Sequence, residues 1–185
     1  SEIFELNNNG KSKKILYIVE NSKMLKLMMS KIKQIKSISV KSHKRICEIN
    51  TSGSLKSIKF DNNNYKYNLI IICTGRNSSL VKNIFKNQII ENSYKETSIT
   101  TILHHDSIKN NVVRQFFLDN EILALLPISN TKTSIVWSVK KGMYENNDLL
   151  IKRKIKFYTK KYLKNITFAT KIEYENLNLL IRNKY

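Results

Sequence analysis

The stretch LIIICTGRNSSL, residues 69–80, joins an unbroken aliphatic run to a turn rich in polar residues. An apolar run of this kind, extended back to Tyr67, is typical of a strand covered on both faces in the middle of an α/β sheet. Gly75 predicts a turn residue with positive φ, since glycine alone tolerates that conformation without strain. We therefore expect a buried strand over residues 67–73 and a short helix that begins near Leu80.

Upstream of this run, the pattern predicts one helix and several strands. Residues 15–19 are expected to form a strand, and residues 24–35 a helix with Asn21 as its N-cap. Two strand-like segments, 37–49 and 55–60, follow the helix. The predicted helix carries an apolar stripe at helical spacing, which favours a place in the core: Leu25, Met28, Met29 and Ile32.

Downstream of the run, the pattern changes to β. Asp119-Asn120 and Ser129-Asn130 indicate tight turns between consecutive strands, so we expect an antiparallel sheet. An amphipathic helix over 147–163 and an extended segment over 168–181 follow. The predicted strands of this sheet are 97–104, 112–118, 122–127 and 133–139.

The chain is strongly basic, with 33 Lys and Arg against 14 Asp and Glu and a formal charge of +19. Clustered basic residues favour nucleic acid by releasing counterions from phosphate. Here Lys occurs in every part of the chain, beside abundant Asn and Ile, which indicates an AT-rich genome rather than a phosphate-binding face. We therefore expect no specific nucleic-acid partner.

Neither a metal site nor a redox pair is indicated. Cys47 and Cys73 lie far apart and outside any CxxC pair, which fits a reducing compartment. His104 and His105 are consecutive, and consecutive strand residues point to opposite faces, so one of them is expected to face solvent. We therefore predict no bound metal.

The longest apolar run is far shorter than the roughly 20 residues of a membrane-spanning helix, and no signal segment opens the sequence. We expect a cytoplasmic chain with peripheral contact at the inner membrane surface. Residue 1 is Ser, which favours a piece of a longer reading frame.

Five motifs follow one another along the chain: YIVEN at 17–21, LIIICTGRNSSL at 69–80, RQF at 114–116, LALLP at 123–127 and SIVW at 134–137. In this order they resemble the ubiquinone-biosynthesis hydroxylases of the class A flavoprotein monooxygenase family. Each motif alone is weak. Together, in the family's order and spacing, they extend the resemblance over about residues 15–181, which argues against chance.

The resemblance implies a mixed α/β (α+β) fold in which residues 1–15 end a preceding segment. Residues 16–91 would form part of a Rossmann-like FAD-binding domain, and residues 92–185 an antiparallel substrate-binding sheet with a helix. FAD would be the cofactor, NAD(P)H the cosubstrate and O2 the oxidant.

The resemblance also implies site residues, although it identifies no catalytic residue. Flavin contacts would fall on Thr74, Gly75, Arg76 and Asn77. The substrate cavity would be lined by Arg114, Leu125, Pro127 and Trp137. For Arg114, pairing with an acidic side chain is the competing interpretation, and for Trp137 it is a place in the core.

Several flavin features of the family are absent or replaced. The four glycines are too dispersed for GxGxxG, and no GDAxH segment occurs. Thr74 stands where the family usually has Asp, and Ser22 where it usually has Arg. We therefore expect that the isolated chain does not retain FAD.

The resemblance predicts a parent enzyme that hydroxylates the ring of a prenylated phenol in ubiquinone biosynthesis. Other proteins of that pathway are expected partners. Two alternatives remain open: a diverged, non-catalytic scaffold, and a basic module that binds nucleic acid or anionic lipid.

Overall fold

The computed structural model describes residues 2–6, 16–42, 44, 46–50, 53–75, 78–84, 89–145 and 147–182. These residues confirm the mixed α/β class, with mostly antiparallel strands and a few helices. The elements are β1 Glu2–Leu6, α1 Asn21–Gln34, β2 Glu48–Asn50, β3 Lys56–Phe60, β4 Asn63–Tyr67, α2 Ser79–Ile84, β5 Ile89–His104, β6 Val113–Leu118, β7 Glu121–Ser129, β8 Lys132–Lys140, α3 Asp148–Thr159, β9 Thr167–Phe168 and β10 Glu173–Arg182.

The chain divides into two compact units. One contains Ser1–Met29 and Ser93–Asn178, and the other contains Ser30–Asn92 and Leu179–Tyr185. The domain bounds implied by the resemblance, 16–91 and 92–185, stay a prediction.

The large sheet has the strand order β1-β6-β7-β8-β5-β10, with β9 paired to β5. Its centre is built from the predicted strands, joined by the two predicted tight turns. Asn120 in the first turn has φ +55°, a conformation that Asn tolerates better than most residues. A β-bulge between Pro127 and Ser129 shifts the register near the second turn. The antiparallel sheet is thus confirmed.

The core lies between this sheet and α3. Side chains alternate along each strand, so one face carries the fully buried residues. From α3, Ile151 and Ile155 are 0% exposed and pack against that face. The sheet contributes a mainly apolar set to the same cluster: Ile99, Leu103, Phe116, Leu123, Leu125, Ile135, Trp137 and Val139.

Helix α1 is confirmed, but its apolar stripe is not core. The helix begins at Asn21 rather than after it, and the carbonyl of Glu20 accepts hydrogen bonds from Lys23 N and Met24 N. Leu25 and Met28 are 59% and 55% exposed. Helical spacing places such residues on one face, but burial requires an element to cover that face.

Two predicted strands are wrong, and a third, 37–49, is present only at its end, where β2 begins at Glu48. Residues 16–19, residues 37–42 and the aliphatic run 69–73 have no regular secondary structure, and Ile15 lies outside the described residues. Leu69 and Ile71 are 73% and 75% exposed. A strand needs neighbours with which to exchange backbone hydrogen bonds, and no described strand pairs with this run.

The small sheet, of order β2-β3-β4, is a meander. Phe60 and Tyr65 stack with their ring centroids 4.3 Å apart, and Lys41 Nζ lies 4.7 Å from the Tyr65 centroid. Asp61 and Asn62, in the turn between β3 and β4, both have positive φ. The predicted helix after the polar turn is present as α2.

Candidate functional site

The predicted flavin-binding turn lies at the end of the exposed aliphatic run. Gly75 has φ +76°, as predicted, and a Cβ added there would meet no described atom within 4 Å. Backbone conformation rather than crowding therefore favours glycine. Thr74 is exposed and offers a hydroxyl that can donate or accept, whereas Arg76 and Asn77 lie outside the described residues. The assignment of these four residues to flavin stays a prediction.

Arg114 is held by an acidic side chain and an aromatic ring. Its Nε donates to Glu5 Oε1 at 2.6 Å, across the β1–β6 pair. Its guanidinium carbon lies 4.3 Å from the ring centroid of Tyr162. The side chain of Arg114 is 18% exposed. The structure thus shows the acidic pairing that was the competing interpretation for this residue.

Leu125 and Trp137 lie in the core, on the face that carries Arg114. Leu125 is 2% exposed and is the cross-strand partner of Arg114, while Trp137 is 0% exposed. Both side chains belong to the core cluster that also contains Ile151 and Ile155 of α3, so they lie on the sheet face that packs against this helix. Pro127 is half-buried beside the bulge. A contact of these residues with substrate stays a prediction.

The other face of the sheet points away from α3 and carries a groove. Phe117 and Ile122, which are cross-strand partners, are 42% and 40% exposed on this face. The groove has a volume of about 560 Å³, within the range of small-molecule sites. Its lining includes Tyr94, Glu96, Phe117, Ile122, Ser138 and Lys140.

Sequence reasoning missed this groove for two reasons. Alternation shows which residues share a face, but it does not show which face a helix covers. In addition, β5 was expected to begin at Thr97, whereas it begins at Ile89 and brings Tyr94 and Glu96 to the groove. The aromatic and charged residues of 94–96 were the available signal.

A buried polar cluster lies beside the groove. Glu121, 8% exposed, lines the groove and accepts hydrogen bonds from Trp137 Nε1 at 3.0 Å and Tyr144 Oη at 2.5 Å. Lys154 donates to Tyr144 Oη, and its Nζ lies 3.8 Å from Glu121 Oε1. Burial, followed by the hydrogen bond to Glu121, raises the pKa of Tyr144 well above its ordinary value. The cluster connects β7, β8 and α3, and the phenol of Tyr144 keeps its proton to a higher pH than an ordinary tyrosine.

Glu20 of the YIVEN motif is held near the sheet. Its carboxylate accepts a hydrogen bond from Lys23 Nζ at 2.9 Å and lies 3.9 Å from Lys132 Nζ at the start of β8. The hydrogen bond to Lys23 lowers the pKa of Glu20. Two of the motifs, YIVEN and the strand that carries SIVW, are therefore neighbours in space.

His105 is buried and His104 is exposed, which confirms the prediction that one of the pair faces solvent. His105 Nδ1 lies 2.8 Å from Asp106 O, and Nε2 lies 2.9 Å from Thr133 Oγ1. A backbone carbonyl can only accept, so Nδ1 carries a proton. Within the described residues, no group of three or more His, Cys, Asp or Glu could hold a metal ion.

Among the parts of the chain that the structure describes, no helix is long and apolar enough to cross a bilayer.

Sequence comparison finds one informative relative. The chain is 34% identical over 79 residues to the human mitochondrial ubiquinone biosynthesis monooxygenase COQ6. The match covers 42% of this chain and 17% of the relative, so the chain spans a small part of that enzyme's length. No protein-family model matches the chain.

Two solved structures share the fold. The flavin-dependent halogenase CmlS has a TM-score of 0.60 at 10% identity, over 85% of this chain and 31% of CmlS. HpxO of Klebsiella pneumoniae, solved with FAD and uric acid, has a TM-score of 0.51 at 13% identity, over 73% of this chain and 37% of HpxO. Sequence and fold together confirm that this chain resembles the ubiquinone-biosynthesis hydroxylases among the class A flavoprotein monooxygenases.

Proposed function

We propose that this chain supplies the substrate-binding sheet and part of the flavin site of an FAD-dependent monooxygenase. Its reaction would be the hydroxylation of a prenylated phenol ring in ubiquinone biosynthesis, with NAD(P)H and O2 as cosubstrates. The observation that carries the proposal is the 34% identity to COQ6 over 79 residues. The similarity of fold to CmlS and HpxO supports the proposal of a flavin cofactor, but it does not specify a substrate.

The described residues fit some of the contacts that a flavin needs. No described atom lies within 4 Å of a Cβ built at Gly75, so a cofactor can approach the backbone there, and the Thr74 hydroxyl can hydrogen-bond a ribose or amide group. Thr74 and Ser22 replace the carboxylate and guanidinium that the resemblance implies. Each lost hydrogen bond to a charged group would weaken binding by about 1.5–3 kcal/mol. The parent enzyme would therefore hold FAD with fewer charged contacts.

The groove offers the substrate a mixed lining. Tyr94, Phe117 and Ile122 present aromatic and aliphatic surface to a ring or prenyl group, and their exposed fractions are between 40% and 58%. Glu96 and Lys140, which are cross-strand partners, place polar groups at the same groove. A prenylated phenol has the same division between an apolar body and a polar hydroxyl.

FAD, when bound, would supply the oxygen chemistry. The residues of this chain would bind and orient the ring and keep water away from it. Ile122 and Phe117 are suited to that role because their exposed apolar surface becomes dry when a ring covers it.

The flavin assignment is tested by Gly75→Ala in the complete reading frame that contains this chain. Ala at φ +76° is strained, so the turn should shift and FAD affinity should fall on the order of tenfold. Gly53→Ala is the matched control, because Gly53 also has positive φ, +82°, and open space around it. Affinity is measured by flavin fluorescence titration. Equal losses in the two variants, or no bound FAD in the wild type, would contradict the assignment.

The substrate assignment is tested by Phe117→Ala with a prenylated phenol. We expect a higher KM with little change in kcat, because the lost contact is one made before the chemical step. Phe4→Ala is the control, since Phe4 is an exposed aromatic residue of β1 that does not line the groove. Unchanged KM in the Phe117 variant would place the substrate elsewhere.

A further inference from the structure

Residues 152–164, which include most of α3, concentrate positive charge. This segment has seven of the chain's 33 Lys and Arg within 13 residues, and it contains no Asp or Glu. Lys154 is engaged by Glu121 and Tyr144, which leaves six basic residues outside that cluster. The local density is therefore well above the chain average, and general compositional bias does not account for it.

The outward side of α3 forms a stripe that mixes these charges with exposed apolar residues. Leu149 and Phe157 are 72% and 60% exposed, whereas Ile151 and Ile155 on the inward side are fully buried. Arg153 and Lys156 on the helix, and Lys160 and Lys164 after it, are also exposed. We call this set the α3 stripe: Leu149, Arg153, Lys156, Phe157, Lys160 and Lys164.

Next to the α3 stripe lies an open groove of about 710 Å³. Three of its lining residues are Lys156, Lys160 and Lys164, and Asn165 and Thr167 add polar groups. Lys160 Nζ also lies 4.6 Å from the centroid of Phe157, so charge and aromatic surface are adjacent. The groove thus offers several donors to an anionic group beside an apolar side chain.

We propose that the α3 stripe is a docking surface for a membrane that contains anionic phospholipid. The lysine-lined groove would receive a phosphate headgroup, and Phe157 and Leu149 would enter the interface between headgroups and acyl chains. Charge complementarity favours this partner, because the stripe carries four cations and no anion.

Two features favour lipid over nucleic acid. Leu149, at 72% exposure, has no ring with which to stack on a base, but it suits an apolar interface. The stripe also follows one helix and the turn after it, so its apolar and basic residues share one outward side, which can lie on a bilayer. The sheet groove lies on the other side of the sheet from α3, so docking would leave it accessible.

The test is co-sedimentation of the complete 185-residue chain with vesicles of phosphatidylcholine, with or without phosphatidylserine. We expect binding only to vesicles with phosphatidylserine, weakening as salt rises. Each basic residue near an anionic surface contributes about 1 kcal/mol, or about fivefold in affinity. The triple variant Lys156→Glu, Lys160→Glu, Lys164→Glu should therefore bind at least on the order of a hundredfold more weakly. Phe157→Ala should bind on the order of tenfold more weakly and keep the salt dependence.

The matched control is Lys31→Glu, Lys33→Glu, Lys36→Glu, which makes the same net charge change at exposed lysines in and just after α1. This control should bind vesicles almost as the wild type does. Far-UV circular dichroism checks that each variant is folded. Equal losses in both triple variants, or no vesicle binding at physiological salt, would overturn the proposal. Tighter binding to duplex DNA through the same lysines, or displacement from vesicles by millimolar inorganic phosphate, would also overturn it.

Discussion

Glu121 is a buried carboxylate that joins the groove to the core. Its two oxygens accept from Trp137 and Tyr144, and Lys154 lies 3.8 Å from one of them. The sequence did not single it out, because a Glu at the start of a strand gives no sign that distant donors will meet it. The contacts of Glu121 depend on β8, on the turn that contains Tyr144 and on α3, which are all distant from it in sequence.

We expect Glu121→Gln to lower the free energy of unfolding by about 1–3 kcal/mol, because a Gln amide nitrogen cannot accept one of the two hydrogen bonds. Urea unfolding followed by the fluorescence of Trp137, the single tryptophan, measures the change. The control is Glu173→Gln at an exposed position of β10, expected within about 0.5 kcal/mol of wild type. Equal stability of the two variants would contradict the proposed role of the cluster.

Two tyrosines should ionise only at unusually high pH. Burial and a hydrogen bond to Asp148 raise the pKa of Tyr174 to about 12, and burial and Glu121 raise that of Tyr144 further. The difference between wild-type and Tyr174→Phe titrations, followed by tyrosinate absorbance, should show one phenol that ionises near pH 12. The corresponding difference for Tyr144→Phe should lie at higher pH. A midpoint near the ordinary value of about 10 for either residue would contradict its environment.

The raised pKa of Tyr144 also predicts how the stability of the folded chain changes with pH. Above about pH 10 the unfolded chain loses this proton while the folded chain keeps it, so the unfolded state is favoured. The stabilisation is complete below about pH 10 and is lost as pH rises toward the folded pKa.

At the scale of single elements, α3 shows how local signals set a helix boundary. Asn147 precedes the helix, and its side-chain oxygen accepts from Leu150 N at 3.1 Å. The sequence placed the helix over 147–163, whereas it spans Asp148–Thr159 and continues as turns. The start of α3 could be predicted because its capping hydrogen bond joins residues that are close in sequence.

Asn147→Ala should destabilise the unit that contains the large sheet by about 1 kcal/mol, because the cap hydrogen bond is lost. Asn147→Asp should keep the acceptor and add a negative charge near the helix N-terminus, where it is favourable. Urea unfolding followed by Trp137 fluorescence compares the two. A loss in the Asp variant as large as that in the Ala variant would contradict the capping role.

Other elements show where sequence patterns are insufficient. The central antiparallel strands were predictable because alternation and tight turns are local. The aliphatic run 69–73 and the stripe of α1 have the right residues for burial, yet Leu69, Ile71, Leu25 and Met28 are more than half exposed. Burial depends on partners that an apolar pattern does not provide.

At the scale of the whole molecule, the order of five motifs predicted the kind of fold, and the comparisons confirm the resemblance. The groove was not predictable, because it depends on which sheet face α3 covers. In the proposed enzyme, the exposed run before Gly75 would pair with further strands of an FAD-binding sheet.

The proposed reaction, in which the protein containing this chain hydroxylates a ubiquinone precursor, can be tested in cells. The most direct measurement expresses the complete reading frame in cells that lack a ubiquinone ring hydroxylase and follows quinone intermediates by mass spectrometry. We predict that the unhydroxylated precursor disappears, that ubiquinone returns, and that Phe117→Ala slows this recovery. Unchanged accumulation of the precursor, despite abundant flavin-loaded protein, would contradict the claim and favour a non-catalytic scaffold.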